Sequence, residues 1–247
     1  MKQLLIFLAF ISCASSLSAQ TPTGEDILNN IDKNMVVDQA VSFATMIVHG
    51  RTGDRTITSK NWAKGKDKAF VEYLSPAREK GTKMLKLGDQ LWTYTPEPTD
   101  RIISISGHLL RQSVMGSDLS YEDMTENDKL KELYDAVVEG EEEIDGRHCF
   151  VVKLTAKAQD ISYYSRKIWV DAERWLPLKE ERYAKSGKLL KTTNITEVFQ
   201  VDGRWYPKKM IFKDMLSTGG GTEYLVDSID FNVEIPDYML TKAALRK

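Results

Sequence analysis

The sequence predicts an α+β protein, mainly β, in which a strongly curved antiparallel sheet forms an unclosed β-barrel. From Gln39 onward, apolar and polar residues alternate with a period of two, and Gly, Pro, Asn or Asp interrupts the pattern every eight to twelve residues. The connections are too short for crossovers, so neighbouring strands must run antiparallel. About a dozen such strands would make an unusual flat sheet, and this predicts the curvature.

The same patterns place the individual elements. Ile27, Leu28 and Ile31 recur at helical spacing after the capping residue Thr23, so we predict an amphipathic helix over 25–35 whose apolar stripe rests on the sheet. A short helix is expected at 108–115, followed by an acidic loop with a helical turn at 116–131. Strands are expected near residues 40–49, 54–63, 67–74, 82–87, 90–95, 100–106, 133–143, 147–156, 165–171, 176–184, 189–201, 204–215 and 222–233.

The first nineteen residues have the composition of a secretory signal peptide. Lys2 precedes an apolar run that is too short to span a bilayer, and small residues follow it up to Ala19. We therefore predict a signal peptide over 1–19, cleavage after Ala19, and one domain over 20–247, since no Pro- or Ser-rich linker divides the chain. The alternative is lipidation at Cys13, which the poor lipobox around it disfavours.

Cysteine usage and charge exclude several classes of protein. After cleavage only Cys149 remains, so the mature chain has no intramolecular disulfide, and the apolar strand around Cys149 predicts a buried thiol. Loss of Lys2 changes the net charge from −2 to −3. A value so near neutrality argues against a nucleic-acid partner.

No motif in the sequence points to catalysis. His49, His108 and His148 lack the mutual spacing of a metal site, and nucleophile elbows, phosphate loops and dinucleotide fingerprints are absent from the sequence. Acidic pairs such as Glu122-Asp123 and Glu180-Glu181 are interpreted as charged strand edges and loops. We therefore predict no enzymatic activity, no metal and no cofactor.

The aromatic and methionine content is suited to an apolar cavity. Both faces of the segment 41–48 are largely apolar, so one face can be covered by the helix and the other by a ligand. A buried acyl chain gains about 0.8 kcal/mol per methylene and needs no directional group. The alternative, an ordinary core, stays open for each side chain. The candidate lipid-binding residues are Phe43, Met46, Trp62, Phe70, Met84, Trp92, Phe150, Trp169 and Phe212.

The segment Met115–Met124 resembles the signature of the outer-membrane lipoprotein-sorting family related to the LolA carrier. The segments 92–96, 101–103, 167–170 and 177–179 also agree with that family. The resemblance implies an unclosed β-barrel wrapped over the N-terminal helix and a mid-chain helical lid, with an apolar cavity between them. It also implies a periplasmic protein without a cofactor.

The signature segment supplies further candidates. Met115 and Leu119 are candidates for lining the mouth of the cavity and so extend the lipid-binding set. Gly116, Asp118, Tyr121 and Asp123 can cap turns or meet a partner. The alternative, a structural crossover whose polar groups satisfy its own backbone, is slightly favoured.

These observations lead to one principal hypothesis and two alternatives. The chain is predicted to carry lipid or lipoprotein acyl chains toward the outer membrane, with peripheral rather than integral membrane contact. An inner-membrane transporter and an outer-membrane acceptor are the expected partners. The alternatives are a periplasmic sensor of the same fold that binds a membrane signalling protein, and an accessory protein of a lipid or hydrophobe exporter.

Overall fold

A computed structural model describes residues 21–126, 130–159 and 161–247. The predicted signal peptide and Cys13 lie outside the described residues. Within the described ranges, no helix has both the length and the apolar character needed to cross a bilayer.

Thirteen strands form one antiparallel sheet, which confirms the predicted class and most of the predicted strand positions. Each strand pairs with its neighbours in an antiparallel register. The sheet is not closed into a barrel. The strands are β1 (Gln39–Gly50), β2 (Gly53–Lys64), β3 (Lys68–Ser75), β4 (Lys83–Leu87), β5 (Gln90–Thr95), β6 (Arg101–Ile105), β7 (Tyr134–Ile144), β8 (Arg147–Ala156), β9 (Ser165–Asp171), β10 (Pro177–Tyr183), β11 (Leu189–Val201), β12 (Arg204–Asp214) and β13 (Gly221–Asp230).

The first and last strands along the chain lie next to each other in the interior of the sheet. The order is β6-β5-β4-β3-β2-β1-β13-β12-β11-β10-β9-β8-β7, so the first and last strands pair with each other. The two edges are β6 and β7, which follow one another in sequence. The chain between them must therefore pass from one edge of the sheet to the other.

Helix α1 (Gly24–Met35) covers one face of the sheet, as predicted. Thr23 and Asp26 form a capping box in which the Asp26 amide donates to Thr23 Oγ1 over 3.1 Å. Gly24 lies so close to β7 that a Cβ atom would stand 2.5 Å from the Ala136 carbonyl oxygen. At the other end, Asn34 Nδ2 donates to the Trp205 carbonyl of β12 over 3.1 Å. The helix thus crosses the sheet from β7 to β12.

The face under α1 is called the inner face below. Directly paired residues on neighbouring strands point to the same face, so the pairing registers assign every strand residue to the inner or the outer face. Ala40 and Ala63, for example, are paired on the inner face of β1 and β2. Met46 and Tyr224 are paired on the inner face of β1 and β13.

The mid-chain segment is irregular where one helix was expected. Residues 107–111 and 114–116 form two separate 3-10 turns, followed by α2 (Tyr121–Glu126) and α3 (Leu130–Leu133). The predicted continuous helix at 108–115 is wrong. Ser113 leaves helical geometry to bridge Ser120, and Met115 and Gly116 adopt φ values of 52° and 68° that turn the chain back.

The C-terminal segment covers the outer face. The predicted strand over 222–233 ends at Asp230, and the chain then forms 3-10 turns at Asp237–Leu240 and Lys242–Arg246. Leu240 and Leu245 pack with Phe70 and Leu85 of the outer face into one buried cluster. The helices and the C-terminal turns therefore cover opposite faces of the sheet.

Candidate functional site

A cavity of about 360 Å³ lies between α1 and the inner face of the sheet. This volume falls in the range of small-molecule sites, roughly 300–1,000 Å³. The cavity is lined by residues from strands as far apart as β2 and β9, which six strand spacings, roughly 29 Å, would separate in a flat sheet. The sheet must therefore curl around it. The apolar lining consists of Leu28, Ile31, Met35, Val36, Val37, Ala40, Ala63, Leu130, Ile168, Pro177 and Ile229.

Small side chains create the space for this cavity. On the inner face of β1 and β2, Ala40 is paired with Ala63, and Ser42 is paired with Asn61. Bulky residues at these positions would fill the gap between the helix and the sheet. In the sequence, the signal for this cavity is the series of small or short side chains at alternate positions of β1 and β2, where core residues are usually bulky.

Polar groups occupy only part of the lining. Asn61 Nδ2 donates to Ser42 Oγ over 3.3 Å, which satisfies both groups within the wall. On the side nearer to solvent, Lys66 and Lys131 contact the Asp32 carboxylate over 2.7 and 3.0 Å. The cavity therefore combines an apolar interior with a charged margin.

The eleven predicted lipid-binding residues lie elsewhere. None is among the described residues that line this cavity. Met46 and Leu119 line a small cavity of about 50 Å³ under the mid-chain segment. Met84 lines another of about 230 Å³, which shares Ala63 and Lys66 with the first cavity.

The remaining candidates divide between the two faces. The pairing registers place Phe43, Trp62, Phe70, Trp92 and Trp169 on the outer face. Trp62, Phe70 and Trp92 lie beneath the C-terminal turns. Phe43 is 41% exposed, and Trp169 Nε1 donates to Glu142 over 2.7 Å. Lipid binding by these side chains stays a prediction.

On the inner face, Phe150 packs in the cluster under α1 and stacks on Trp175 with ring centroids 6.0 Å apart. Phe212 is paired with Thr193 and Thr222. Met115 packs beside the Met46 cluster. The role of these three residues in binding lipid is likewise a prediction.

Asp118 of the signature segment is anchored to the middle of the sheet. Its buried carboxylate accepts hydrogen bonds from Thr222 Oγ1 over 2.7 Å and from the Asp214 amide over 2.9 Å. Gly116 and Tyr121 flank this anchor. Arg55 donates to the Met115 carbonyl beside Gly116 over 2.6 Å, and Tyr121 packs against the cluster of Met46 and Ile57.

Asp123 provides a second buried anchor. One of its oxygens caps α2 by accepting from the Ser120 amide over 2.7 Å. The carboxylate also contacts Arg182 of β10 over 2.6 Å and Lys191 of β11 over 2.5 Å, and it accepts from the Tyr163 hydroxyl over 2.7 Å. Two aspartates thus fasten the mid-chain segment across the inner face.

The network continues into the sheet and corrects one interpretation of the sequence. Glu180 contacts Arg182 over 2.8 Å and Arg166 over 3.0 Å, and both arginines are buried. The interpretation of Glu180 as a strand-edge charge is wrong, because β10 is an interior strand, whereas Asp123 caps a helical turn as predicted but is buried. Positions 166, 180 and 182 face inward on interior strands, so their charges stabilise one another in place of water.

Charge pairing sets the protonation of these carboxyl groups. Burial would raise the pKa of Asp123, but the positive charges of Arg182 and Lys191 outweigh it and lower the pKa to about 2. Burial opposes the same effect at Glu180, where Arg182 and Arg166 lower the pKa to about 2. Both groups are therefore ionised at neutral pH.

We expect acid to destabilise the fold partly through these two groups. Their folded pKa values lie below the unfolded values of 3.8 and 4.5, so their contribution is present above pH 4.5 and is lost as the pH falls toward 2. Urea unfolding at pH 5.5 and pH 3 measures the loss. Because other carboxylates also contribute to the loss of stability in acid, the wild type is compared with the double variant Asp123→Asn, Glu180→Gln, which lacks these two ionisable groups. An equal pH dependence in this variant would contradict the assignment.

Cys149 and the placement of the His, Cys, Asp and Glu side chains bear on reactivity and metal binding in the described residues. Cys149 is fully buried, as predicted, and burial raises the pKa of its thiol to about 11. Among the residues in the described ranges, no three His, Cys, Asp or Glu side chains are grouped to hold a metal ion. The apolar cavity beneath α1 is the candidate site, because its volume is that of a small-molecule site.

Comparison with solved structures defines the class of the fold. A DUF1329 family protein from Desulfovibrio piger aligns with a TM-score of 0.84 at 27% identity, over 90% of this chain and 97% of that chain. A proposed outer membrane lipoprotein-sorting protein domain from Vibrio parahaemolyticus gives 0.81 at 23% identity, over 91% and 98%. A LolA superfamily protein from Nitrosomonas europaea gives 0.75 at 23% identity, over 91% and 100%. The fold is LolA-like, which confirms the resemblance.

Sequence comparison assigns the family. The model of a family described as "Uncharacterized protein" matches residues 65–247, and the chain belongs to that family. No curated protein sequence gives a significant match.

Proposed function

We propose that this protein is a periplasmic carrier that binds lipid or lipoprotein acyl chains in the cavity beneath α1 and passes them toward the outer membrane. Residues 20–247 act in it as a single binding domain, exported by the signal peptide at 1–19. The observation that carries the proposal is the apolar cavity, whose space depends on paired small residues of β1 and β2. N-terminal sequencing of the exported protein tests the cleavage after Ala19.

The energetics of the cavity suit reversible transport. Eight buried methylenes would contribute about 6 kcal/mol before the costs of association are subtracted. The interior of the wall is mainly apolar, so it can accept alkyl chains of different length and structure. A shift of α1 would widen the cavity for entry and release, because Leu28, Ile31 and Met35 form one side of it.

Extraction of the purified protein followed by mass spectrometry tests the proposal. We expect co-purifying lipid and saturable uptake of a fluorescent fatty acid. Absence of lipid together with absence of uptake would overturn the carrier. A catalytic turnover of the bound lipid would also contradict it, since the proposed mechanism consists of binding and transfer alone.

Peripheral membrane contact is proposed for one end of the sheet. The turns 50–53, 184–188 and 214–220 are neighbours there, since the Gly220 amide donates to the His49 carbonyl over 2.7 Å and the Met215 amide to the Leu190 carbonyl over 2.8 Å. Met215 and Leu216 are 47% and 59% exposed at the tip of one turn. The exposed acids at this end include Asp54, which is paired with His49, and Glu97 in the turn between β5 and β6. The exposed basic residues at this end are Arg51, Arg55, Arg78, Lys80, Arg111, Lys185 and Lys188.

An apolar tip surrounded by basic residues is complementary to an anionic lipid surface. Each basic residue near such a surface contributes about 1 kcal/mol, and insertion of an apolar side chain adds to this. We therefore propose that the protein approaches an anionic membrane with this end.

Leu216→Asp should weaken binding to vesicles containing anionic lipid by about tenfold or more, because it removes an inserted side chain and adds a repelled charge. Tyr238→Asp is the matched control: Tyr238 is 61% exposed in the C-terminal turns, and its neighbour Asp237 contacts Lys64 at the opposite end of β2. Vesicle co-sedimentation measures both variants. An equal loss of vesicle binding in the two variants would contradict the proposed orientation on the membrane. So would wild-type binding to neutral vesicles that is as strong as its binding to anionic ones.

A further inference from the structure

Two lysines meet at the solvent side of the main cavity. Lys66 lies in the turn between β2 and β3, and Lys131 lies in α3, so separate parts of the chain bring them together. Both ammonium groups contact the same oxygen of Asp32, over 2.7 and 3.0 Å. Their side chains are about one third exposed. They are thus accessible to a ligand that occupies the cavity.

The charges at this margin do not balance. Asp32 provides one negative charge for two positive ones, and the other contact of Lys131 is the neutral side-chain oxygen of Asn29 at 2.7 Å. Glu180 is the second carboxylate in the described lining, but Arg166 and Arg182 already neutralise it. Among the lining residues that the structure describes, one positive charge therefore remains at the edge of the apolar cavity.

We propose that the cavity selects amphiphiles with an anionic head group, which Lys66 and Lys131 hold while the alkyl chain lies under α1. This inference rests on the proposed function and narrows its ligand class. A carboxylate would balance the remaining positive charge, a phosphate monoester would more than balance it, and either would accept hydrogen bonds from both ammonium groups. A hydroxyl head group can accept a hydrogen bond but contributes no charge, and a cationic head group is repelled.

Displacement of a fluorescent fatty acid by ligands with one common chain tests the selection. The ligands are dodecanoate, dodecyl phosphate, dodecanol and dodecyltrimethylammonium. We expect the full mature protein to bind the two anions about tenfold more tightly than the alcohol at low salt, and the cation most weakly. The preference should decrease at high ionic strength, because the lysines are partly exposed. The two anionic arms distinguish a carboxylate site from a phosphate site.

Variants then assign the preference to the lysines. The double variant Lys66→Gln, Lys131→Gln should lose the preference for anions and keep its affinity for dodecanol. Lys64→Gln is the matched control, since Lys64 is also ion-paired but lies on the outer face of the same strand end. Asp32→Asn should act in the opposite direction and strengthen dodecanoate binding several-fold, because it removes the competing carboxylate.

The outcomes separate this inference from the proposed function. Equal affinities for dodecanoate and dodecanol in the wild type, or an unchanged preference in the double lysine variant, would overturn the anionic site and leave the carrier intact. Failure of the wild type to bind any of the four ligands would overturn both. Loss of dodecanol binding in the double variant would indicate damage to the cavity and contradict the proposed division of roles.

Discussion

Replacing Arg182 with methionine should lower the free energy of unfolding by about 3–5 kcal/mol. Arg182 is the cation shared by Asp123 of the mid-chain segment and Glu180 of β10, and its side chain is only 2% exposed. Methionine keeps much of the volume and removes the charge. The buried carboxylates of Asp123 and Glu180 then lose a principal cationic partner and remain shielded from water. Because Asp123 anchors the mid-chain segment, this cost destabilises the attachment of that segment to the sheet.

Urea unfolding followed by tryptophan fluorescence measures this loss. Arg78→Met is the control, because Arg78 is 88% exposed and its contact with Glu79 is 4.0 Å long, so less than about 0.5 kcal/mol is expected. A loss in Arg182→Met as small as in Arg78→Met would contradict the importance of the network.

Replacing Ala63 with tryptophan should reduce acyl-chain affinity by about tenfold or more. Ala63 lies on the inner face opposite Ala40 and lines both the main cavity and its smaller neighbour. An indole ring at this position occupies space that a chain would use. Exclusion of only two methylenes costs about 1.6 kcal/mol, which corresponds to more than tenfold in the dissociation constant.

The stability of this variant should remain within about 1 kcal/mol of the wild type, because the ring enters a void and displaces no packed side chain. Ala77→Trp, at an exposed turn position, should leave fatty-acid uptake unchanged. Ala63→Leu should weaken uptake in the same direction and by less. Full uptake by a folded Ala63→Trp protein would place the acyl chain somewhere other than beneath α1.

Local sequence patterns predicted the elements of this fold well. Thr23 and the stripe of Ile27, Leu28 and Ile31 defined α1 because capping and helical periodicity are local properties. Short turns likewise required antiparallel neighbours. The continuous helix at 108–115 failed because its interruption depends on a bridge between Ser113 and Ser120, which periodicity does not record.

The site was harder to predict than the fold. Alternation assigns residues to two faces but does not say which face is inner, so large outer-face side chains such as Trp62 and Trp92 were natural candidates. Small residues such as Ala40 and Ala63 were overlooked, although their pairing makes the space. The charges of Glu180 and Arg182 gave no local sign of burial, because their partners come from distant parts of the chain.

The pairing of β1 with β13 has a consequence for how the protein is assembled. Strands β1–β6 and β7–β13 are two meanders built from short-range contacts, whereas their junction joins residues as distant as Val41 and Asp230. Long loop closure is slow, so we expect this seam to form last. The main cavity draws its walls from both meanders, with Asn61 on one side and Ile168 on the other. A partly folded chain in which β1 and β13 are not yet paired would therefore lack the cavity. The protein would become able to bind a ligand only when these two strands pair.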